Sequence, residues 1–421
     1  MKFKPFSLNL FCFIVLLVVS LLPLNYALKT HLYFSQDDFM SIAYLNHKSY
    51  VAVASDFLQT GDLIAPKRMI GYLLGYLNFK LLFDLFATNP LPFILNNQIL
   101  HLLNVFLLFY LALKLTNNRW GALLISLIFS KYYLYYFTNS HEYLVTLFSL
   151  LSFVLFFKYP RKTFLALISF ILALLSKQYA YVVPLFLLYY SYSYRRDLLK
   201  NNRPFLLVLF LYCLLQFLYY LNTSAIVINP TYQTTLNPAT LFGNLTFYFK
   251  PQYLLILALF PLFSKKYHTW FLLLFFLLSL FPALVLVNRH DLYYFYFPAV
   301  FLLLFVAVNL PRTLLKQIPA FLLVIFLFGG RQAFPVVARQ DYPNWDLVSI
   351  NNLLSTVKQE LQSNPESVSI KMQGLNLYRD ARSILDYNVL PLFLGRPHNQ
   401  LYNFSYDSSK MILTINKLPL D

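Results

Sequence analysis

The stretch ILNNQILHLLNVFLLFYLALK, residues 94–114, decides the fold class because it is predominantly apolar and its only charge is the terminal lysine. A helix of about 20 such residues crosses the hydrocarbon core of a bilayer. Similar windows recur along the chain, which is 59% hydrophobic and only 12% charged over 421 residues. The sequence before the C-terminal tail lacks the alternating pattern typical of a transmembrane barrel. The composition therefore predicts a polytopic helical membrane protein.

Apolar windows predict an all-α polytopic bundle of about eleven transmembrane helices within residues 1–336. The windows lie at 8–27, 94–114, 120–138, 142–157, 163–176, 179–193, 205–222, 248–263, 270–287, 293–309 and 320–336. Several are shorter than about 20 residues and require tilted or thin packing.

The formal net charge of +17 lies entirely in this membrane part, because residues 337–421 hold eight basic and eight acidic residues. With the N-terminus inside, the inner loops collect 15 of the 25 remaining Lys and Arg residues and one acid, Asp197. This is a positive-inside pattern, so the charge indicates topology and not a nucleic-acid partner. The predicted orientation is N-in and C-out.

The first outer loop, residues 28–92, is long and contains the apolar stretch Met69 to Phe86. If that stretch crossed the membrane, all later basic loops would lie outside. We therefore expect a helix at the outer surface, with Lys80 and Asp84 paired on its polar side. If residues 1–28 are instead a cleaved signal peptide, the loop is outside either way.

Acidic residues are rare in the bundle, and most of them lie on the predicted outer side together with several cations. Between Phe93 and Val336 only three residues are acidic, because ionised groups are costly in hydrocarbon. The predicted outer ends and loops hold Asp37, Asp38, Lys67, Arg68, His141, Glu142, Lys177, Arg289, His290 and Asp291. Carboxylates and cations at one interface suit an anionic lipid headgroup and a proton that is removed nearby.

Short motifs follow one another in a fixed order. Asp37-Asp38-Phe39 is followed by Pro66-Lys-Arg-Met-Ile70, Leu77-Asn78, His101-Leu-Leu-Asn104, Asn139-Ser-His-Glu142, Leu174-Leu-Ser-Lys-Gln178, Val183-Pro184-Leu185 and Arg289-His-Asp-Leu-Tyr-Tyr-Phe-Tyr-Phe-Pro298. Over roughly residues 1 to 310, this succession resembles the membrane glycosyltransferases of the GT-C type, which use polyprenyl-phosphate sugars. It is similar in particular to the group containing protein O-mannosyltransferases and aminoarabinose lipid A transferases.

The resemblance implies transfer of a sugar from a polyprenyl-phosphate donor to a lipid, glycan or protein acceptor, with inversion, at the outer face. Asp38 or Asp37 would take the proton of the acceptor hydroxyl, and Arg289 and Lys177, with Arg68, would hold the departing phosphate. The other predicted pocket residues are Glu142, His141, Asp291, Tyr294 and Gln178. No cofactor is obligatory because phosphate is a good leaving group, although a divalent cation near Asp37 and Asp38 is compatible with the chemistry.

The chain departs from the family pattern at two positions. Gln178 stands where the family has glutamate, and Met69 follows Arg68 where the family has proline. Tetratricopeptide repeats, which mark one subgroup, are not evident. The seven histidines show no metal-ligand spacing, and Cys12 and Cys213 both lie in apolar spans, so neither a metal site nor a disulfide is predicted.

Most of these residues also have a purely structural interpretation. Asp37 and Asp38 suit a helix N-terminus, Glu142 suits a helix cap, and Arg68 and Arg289 suit an interface or a solvated loop. Lys177 is placed to snorkel at a tight hairpin. For His101 and Asn104, one turn apart inside a span, interhelical hydrogen bonds are the favoured interpretation. Tyrosine clusters at span ends are typical of the interfacial aromatic belt.

The tail, residues 337–421, has the composition of a soluble segment. Apolar residues from Leu347 to Leu361 step by three and four and predict an amphipathic helix, and three alternating stretches predict strands at Val368–Met372, Tyr402–Tyr406 and Met411–Ile415. We expect a small outer α/β cap.

Two other classes of function use similar residues. A non-enzymatic transporter or flippase of lipid-linked saccharides would need charges or broken helices near mid-membrane. An O-antigen-type ligase or polymerase would have a large later outer loop, whereas the large loop here comes early. The composition leaves both a bacterial plasma membrane and the ER open, and the lack of predicted disulfides and of long later loops favours the bacterial membrane.

Overall fold

The structure is a computed structural model that describes residues 5–22, 24, 36–58, 72–132, 140–222, 235–248, 269–287, 292–310, 345–363, 367–371, 390, 402–407 and 412–417. Within these residues the chain is mainly helical, as the composition predicts. The helices of the first part are α1 (Pro5–Ser20), α2 (Gln36–Leu45), α3 (Tyr50–Leu58), α4 (Leu73–Phe86), α5 (Pro90–Thr116) and α6 (Arg119–Phe129).

The later helices are α7 (Ser140–Lys158), α8 (Thr163–Ser176), α9 (Val182–Tyr194), α10 (Arg203–Asn222), α11 (Pro238–Tyr248), α12 (Trp270–Leu284), α13 (Tyr296–Asn309) and α14 (Trp345–Ser363). Single 3₁₀ segments at Pro160–Lys162, Gln178–Tyr181, Arg196–Asn202 and Leu292–Phe295 lead directly into the helices that follow them.

Consecutive asparagines set the junction between α5 and α6. Asn117 ends α5 in the left-handed conformation, with φ of 51°. The side chain of Asn118 then caps α6 by accepting a hydrogen bond from the backbone N–H of Gly121 at 3.0 Å. Asparagine suits both positions, because it tolerates positive φ and is a preferred N-cap residue. The chain therefore reverses over two residues.

The centre of the bundle is α13. All residues from Tyr296 to Ala307 are buried, as expected for a helix that is apolar on every side. It packs against α5, α6, α7 and α12. The start of this helix is therefore held deep among four neighbours.

Among the described residues, three helical stretches are long and apolar enough to cross a membrane: Pro90–Thr116, Ser140–Lys158 and Arg196–Phe217. Shorter apolar helices lie at Leu10–Ser20, Arg119–Phe129, Trp270–Leu284 and Tyr293–Asn309. The structure is thus compatible with a membrane protein, while the number of spans and the N-in, C-out orientation stay predictions. The predicted span at 320–336 lies outside the described residues. The predicted span at 248–263 also lies outside them, apart from its first residue.

Several helices present apolar side chains on their outer surface. On α10, five residues are between 47% and 62% exposed: Leu207, Phe210, Leu211, Leu215 and Phe217. Serines of α6 and α7 are instead fully buried: Ser126, Ser149 and Ser152. A contiguous apolar surface of this kind is unfavourable in water and matches a lipid environment.

Two ion pairs lie among the described helices of the predicted first outer loop. The predicted pair in α4 is confirmed, with Lys80 Nζ 2.9 Å from Asp84 Oδ1. At the α2–α3 corner, Lys48 and the hydroxyl of Tyr44 both donate to the carboxylate of Asp56. The contacts of Asp56 fix α2 and α3 to one another.

The two partners of this pair differ in burial, because Lys80 is turned inward and Asp84 is exposed. Lys80 is only 4% exposed, and its ammonium also contacts the backbone carbonyl of Leu45 at 3.5 Å, where α2 ends. The last carbonyls of a helix lack donors within the helix and attract a cation. The exposed side of α4 carries Leu81, Leu85 and Phe86 beside Asp84, so this surface is mainly apolar.

The tail contains the predicted helix and three strands. Here α14 packs against β1 (Ser367–Lys371), and the sheet is completed by β2 (Tyr402–Asp407) and β3 (Ile412–Lys417). The order is β1-β3-β2 and both pairings are antiparallel. Apolar residues of α14 and β3 are buried: Leu353, Val357, Leu361, Leu413 and Ile415. The predicted α/β elements are confirmed, and the boundary of a cap domain at residue 337 stays a prediction.

Candidate functional site

The hairpin of α7 and α8 brings a carboxylate and an ammonium together. Glu142 lies in the first turn of α7 and Lys177 directly follows α8, so they are almost equally far in sequence from the turn at Pro160. Because both helices rise by about 1.5 Å per residue, the two residues reach the same level of the bundle. The ammonium of Lys177 donates to Oε1 of Glu142, and both residues are 0% exposed.

This ion pair is fully enclosed in protein. Lys177 therefore does not snorkel to water. Glu142, for which a helix cap was the alternative interpretation, forms an ion pair with this lysine. The other carboxylate oxygen, Oε2 of Glu142, accepts no hydrogen bond from any of the described residues. A buried carboxylate oxygen without a donor is unfavourable and is ready to accept a hydrogen bond from a ligand.

Four tyrosine rings surround the ammonium of Lys177. Its Nζ lies 4.6 Å from the ring centre of Tyr179, 4.7 Å from Tyr294, 5.3 Å from Tyr293 and 5.7 Å from Tyr72. All four distances are within the range of a cation–π interaction. The rings enclose the ammonium and provide flat apolar surfaces beside it. Such surfaces suit stacking against a sugar ring. These four tyrosines therefore line the candidate site.

The first-loop helix α4 closes one side of this site. The Oγ of Ser140, at the start of α7, is 3.5 Å from the carbonyl oxygen of Gly75. The ring of His141 meets that of Tyr72 edge to face, with centres 5.2 Å apart. A Cβ on Gly75 would lie 2.7 Å from the Cβ of His141, so only glycine permits this approach. The loop that carries the acidic pair is therefore packed against the end of the bundle that holds Glu142 and Lys177.

A buried hydrogen-bond network links α5 to α13 and includes Tyr143, the residue after Glu142. His101 Nε2 donates to the carbonyl of Ser130 at 3.0 Å, so its Nδ1 accepts a hydrogen bond from the hydroxyl of Tyr296 at 2.8 Å. Asn104 donates to the same hydroxyl at 3.3 Å and to the carbonyl of Tyr143 at 3.0 Å. The interhelical role predicted for His101 and Asn104 is confirmed.

The predicted catalytic carboxylates lie at the start of α2. Asp38 is only 1% exposed and shares a buried face with Ser41, Ile42 and Leu45, at helical spacing. Asp37 belongs to the same helical turn, and its side chain lies outside the described residues. A buried aspartate at a helix start is compatible with both a structural and a catalytic role.

The other predicted site residues are only partly described. Arg68, Arg289 and Asp291 lie outside the described residues. Gln178 is half-buried and begins the 3₁₀ segment after Lys177, and Tyr294 is one of the four rings. Among the described residues, no group of three or more His, Cys, Asp or Glu side chains could hold a metal ion.

Sequence reasoning missed three of the residues that shape the site. Tyr72 and Tyr179 line the ammonium, and Gly75 permits the close approach of α4 to α7. Tyr179 lies two residues from Lys177, which is the one local signal that could have indicated it. The other two contacts join segments at least 65 residues apart in sequence and depend on tertiary packing.

Comparisons of the whole chain with protein-family models, with curated proteins and with solved structures find no match.

Proposed function

We propose that the chain is a membrane glycosyltransferase that moves a sugar from a polyprenyl-phosphate donor to an acceptor at the outer face of a bacterial plasma membrane, with inversion. The observation that carries the proposal is the convergence at one end of the bundle. There the first-loop helix α4 meets the buried Glu142–Lys177 pair and its tyrosine walls. A fixed cation, a carboxylate and flat apolar surfaces are the parts that this reaction requires.

The reaction forms a bond between the acceptor oxygen and the anomeric carbon while the bond from that carbon to the phosphate oxygen breaks. The phosphate leaves with the electron pair, and the acceptor hydroxyl gives its proton to a carboxylate. In this proposal Lys177, assisted by Arg289 and Arg68, stabilises the charge that develops on the leaving phosphate. Asp38, or Asp37, takes the proton.

Glu142 has two roles in the proposal. Through Oε1 it orients the ammonium of Lys177, and through Oε2 it accepts a hydrogen bond from a hydroxyl of the donor sugar or the acceptor. The rings of Tyr293 and Tyr294 stack beside the sugar. His141 holds Tyr72 in place by an edge-to-face contact, and Gln178 directly follows Lys177 in the chain.

The rival transporter class accounts less well for the position of these charges. A carrier of lipid-linked saccharides uses ionisable groups or broken helices near the middle of the membrane. In the described residues, Glu142 and Lys177 are held where α7 begins and α8 ends. A ligase or polymerase would share the lipid donor, and product analysis separates that class from a transferase of single sugars.

The first experiment compares cell-envelope glycans by mass spectrometry with and without the gene, to identify the sugar and acceptor. The purified protein in lipid nanodiscs is then assayed with the matching polyprenyl-phosphate sugar. Asp38→Asn and Lys177→Met should each reduce transfer by at least about 100-fold, on the scale of a lost acid–base or electrostatic group.

Asp56→Asn is the matched control, because Asp56 also belongs to the first loop and also pairs with a lysine, but it lies at the α2–α3 corner. It should retain wild-type transfer. Wild-type rates in Asp38→Asn would refute the assignment of the proton acceptor. Unchanged glycans on gene deletion, together with no transfer in vitro, would refute the glycosyltransferase itself.

A further inference from the structure

Pro282 creates an unusual acceptor inside α12. Proline has no backbone N–H, so the carbonyl of Leu278, four residues earlier, cannot receive its usual helical hydrogen bond. The structure supplies a replacement donor, because the hydroxyl of Tyr181 donates to the Leu278 carbonyl oxygen. In an apolar bundle a carbonyl without any donor is costly, so this contact is favoured.

Tyr181 is also the end of the segment that carries Lys177. The 3₁₀ segment Gln178–Tyr181 starts directly after Lys177, and the N–H of Ala180 donates to the carbonyl of Lys177 at 3.3 Å. The main chain from Lys177 to Tyr181 is therefore one short turn. Fixing the Tyr181 hydroxyl on α12 fixes the backbone from which the lysine side chain projects.

The Tyr181 contact connects the two halves of the ammonium site. Lys177 and Tyr179 come from the α8–α9 connection, whereas Tyr293 and Tyr294 come from the segment that leads into α13. Because α12 packs along α13, a bond from Tyr181 to α12 ties the lysine turn to the helix pair that supplies the opposite rings.

We propose that Tyr181 is a positioning residue that holds the Lys177 turn against α12 through the carbonyl freed by Pro282. The structural part of this inference is independent of any activity. Its consequence for catalysis rests on the proposed glycosyltransferase function, because it concerns how accurately Lys177 meets the leaving phosphate.

The test is a cycle of four proteins: wild type, Tyr181→Phe, Pro282→Ala, and the double variant. Alanine at 282 restores a backbone N–H that can satisfy the Leu278 carbonyl from within the helix. The stability lost in Tyr181→Phe should therefore be regained in the double variant. The anchor of the Lys177 turn is still missing there.

Hydrogen–deuterium exchange of amides 178–181 reports on that anchor without any substrate. We expect exchange about tenfold faster in Tyr181→Phe and in the double variant, the size of one lost hydrogen bond. Pro282→Ala alone should exchange as the wild type does. Tyr192→Phe, at a residue that is 64% exposed on α9, is the matched control and should change nothing.

Activity gives a second readout. If the glycosyltransferase proposal holds, the double variant should show a kcat reduced about tenfold despite its restored stability. Recovery of both exchange protection and kcat in the double variant would overturn the positioning role, because Tyr181 would then only satisfy the carbonyl. If the function proposal is wrong, the wild type shows no sugar transfer, while the exchange result still tests the anchor. The two failures are therefore distinguishable.

Discussion

Replacing Lys177 with methionine is the most direct test of the buried ion pair. Methionine keeps the length and apolar contacts of the lysine chain but leaves the Glu142 carboxylate without the cation that accompanies it. Both residues are 0% exposed, so water cannot compensate. Removing one partner of a buried pair destabilises a protein by about 3–5 kcal/mol.

A second route gives the same magnitude. Without Lys177, the carboxylate of Glu142 can take up a proton. At pH 7 this costs about 3.7 kcal/mol for a glutamate of ordinary solution pKa. The lower of the two costs determines the loss, because the molecule relaxes to whichever state is more stable. We therefore expect the free energy of unfolding of Lys177→Met to fall by about 3–4 kcal/mol.

The assay is unfolding by SDS titration in mixed micelles, followed by circular dichroism. The double variant Glu142→Gln with Lys177→Met removes both charges and should recover most of the lost stability. Asp197→Asn is the control, because its pair with Arg195 is exposed and its loss should leave the midpoint unchanged. A loss below about 1 kcal/mol in Lys177→Met, or a double variant no more stable than the single one, would refute the reasoning.

Three further predictions concern the surroundings of the site. Gly75→Ala forces α4 away from α7 and should destabilise the protein by about 1–3 kcal/mol, whereas Gly243→Ala, whose added methyl group would meet no atom of the described residues within 4 Å, should be neutral or stabilising in the same SDS titration. Tyr296→Phe removes a hydrogen bond to buried His101 and should lower the free energy of unfolding by about 1–3 kcal/mol. Burial raises the pKa of Asp56, but hydrogen bonds from its lysine and tyrosine partners outweigh burial and lower the pKa overall. The stabilising contribution of Asp56 is therefore present at neutral pH and disappears as the pH falls below 3.8. Asp56→Asn should flatten the acidic part of a plot of stability against pH, and an unchanged acidic part would contradict the prediction.

The parts of the site that were predictable follow from helix arithmetic. Glu142 and Lys177 are the rare charges at the two ends of a hairpin whose arms have nearly equal length, so sequence places them at one level. His101 and Asn104 are polar residues one turn apart in an apolar helix, which indicates an interhelical partner. Local pattern is sufficient for these two statements because each depends only on where a residue lies along its own helix.

The parts that sequence did not predict depend on how helices rotate and pack. The i,i+4 spacing predicted that Lys80 pairs with Asp84, but it carries no information on which side of α4 faces the protein. Pro282 marks a carbonyl without a helical donor, yet the donor, Tyr181, is 97 residues away in sequence from Leu278. The direct contact between Glu142 and Lys177 likewise requires the register of two helices.

The two buried lysines of the described chain illustrate why a structural explanation suffices for one and not for the other. Lys80 stabilises the C-terminal end of α2, and the carboxylate of its partner Asp84 is 36% exposed, so part of that pair remains hydrated. The partner of Lys177 is instead fully buried, with one oxygen lacking a donor among the described residues. A buried ion pair gives little stability over packed apolar residues of similar volume, and apolar residues are the rule elsewhere in this bundle. Stability alone therefore does not account for Glu142 and Lys177, whereas the glycosyltransferase that we propose gives both residues a role.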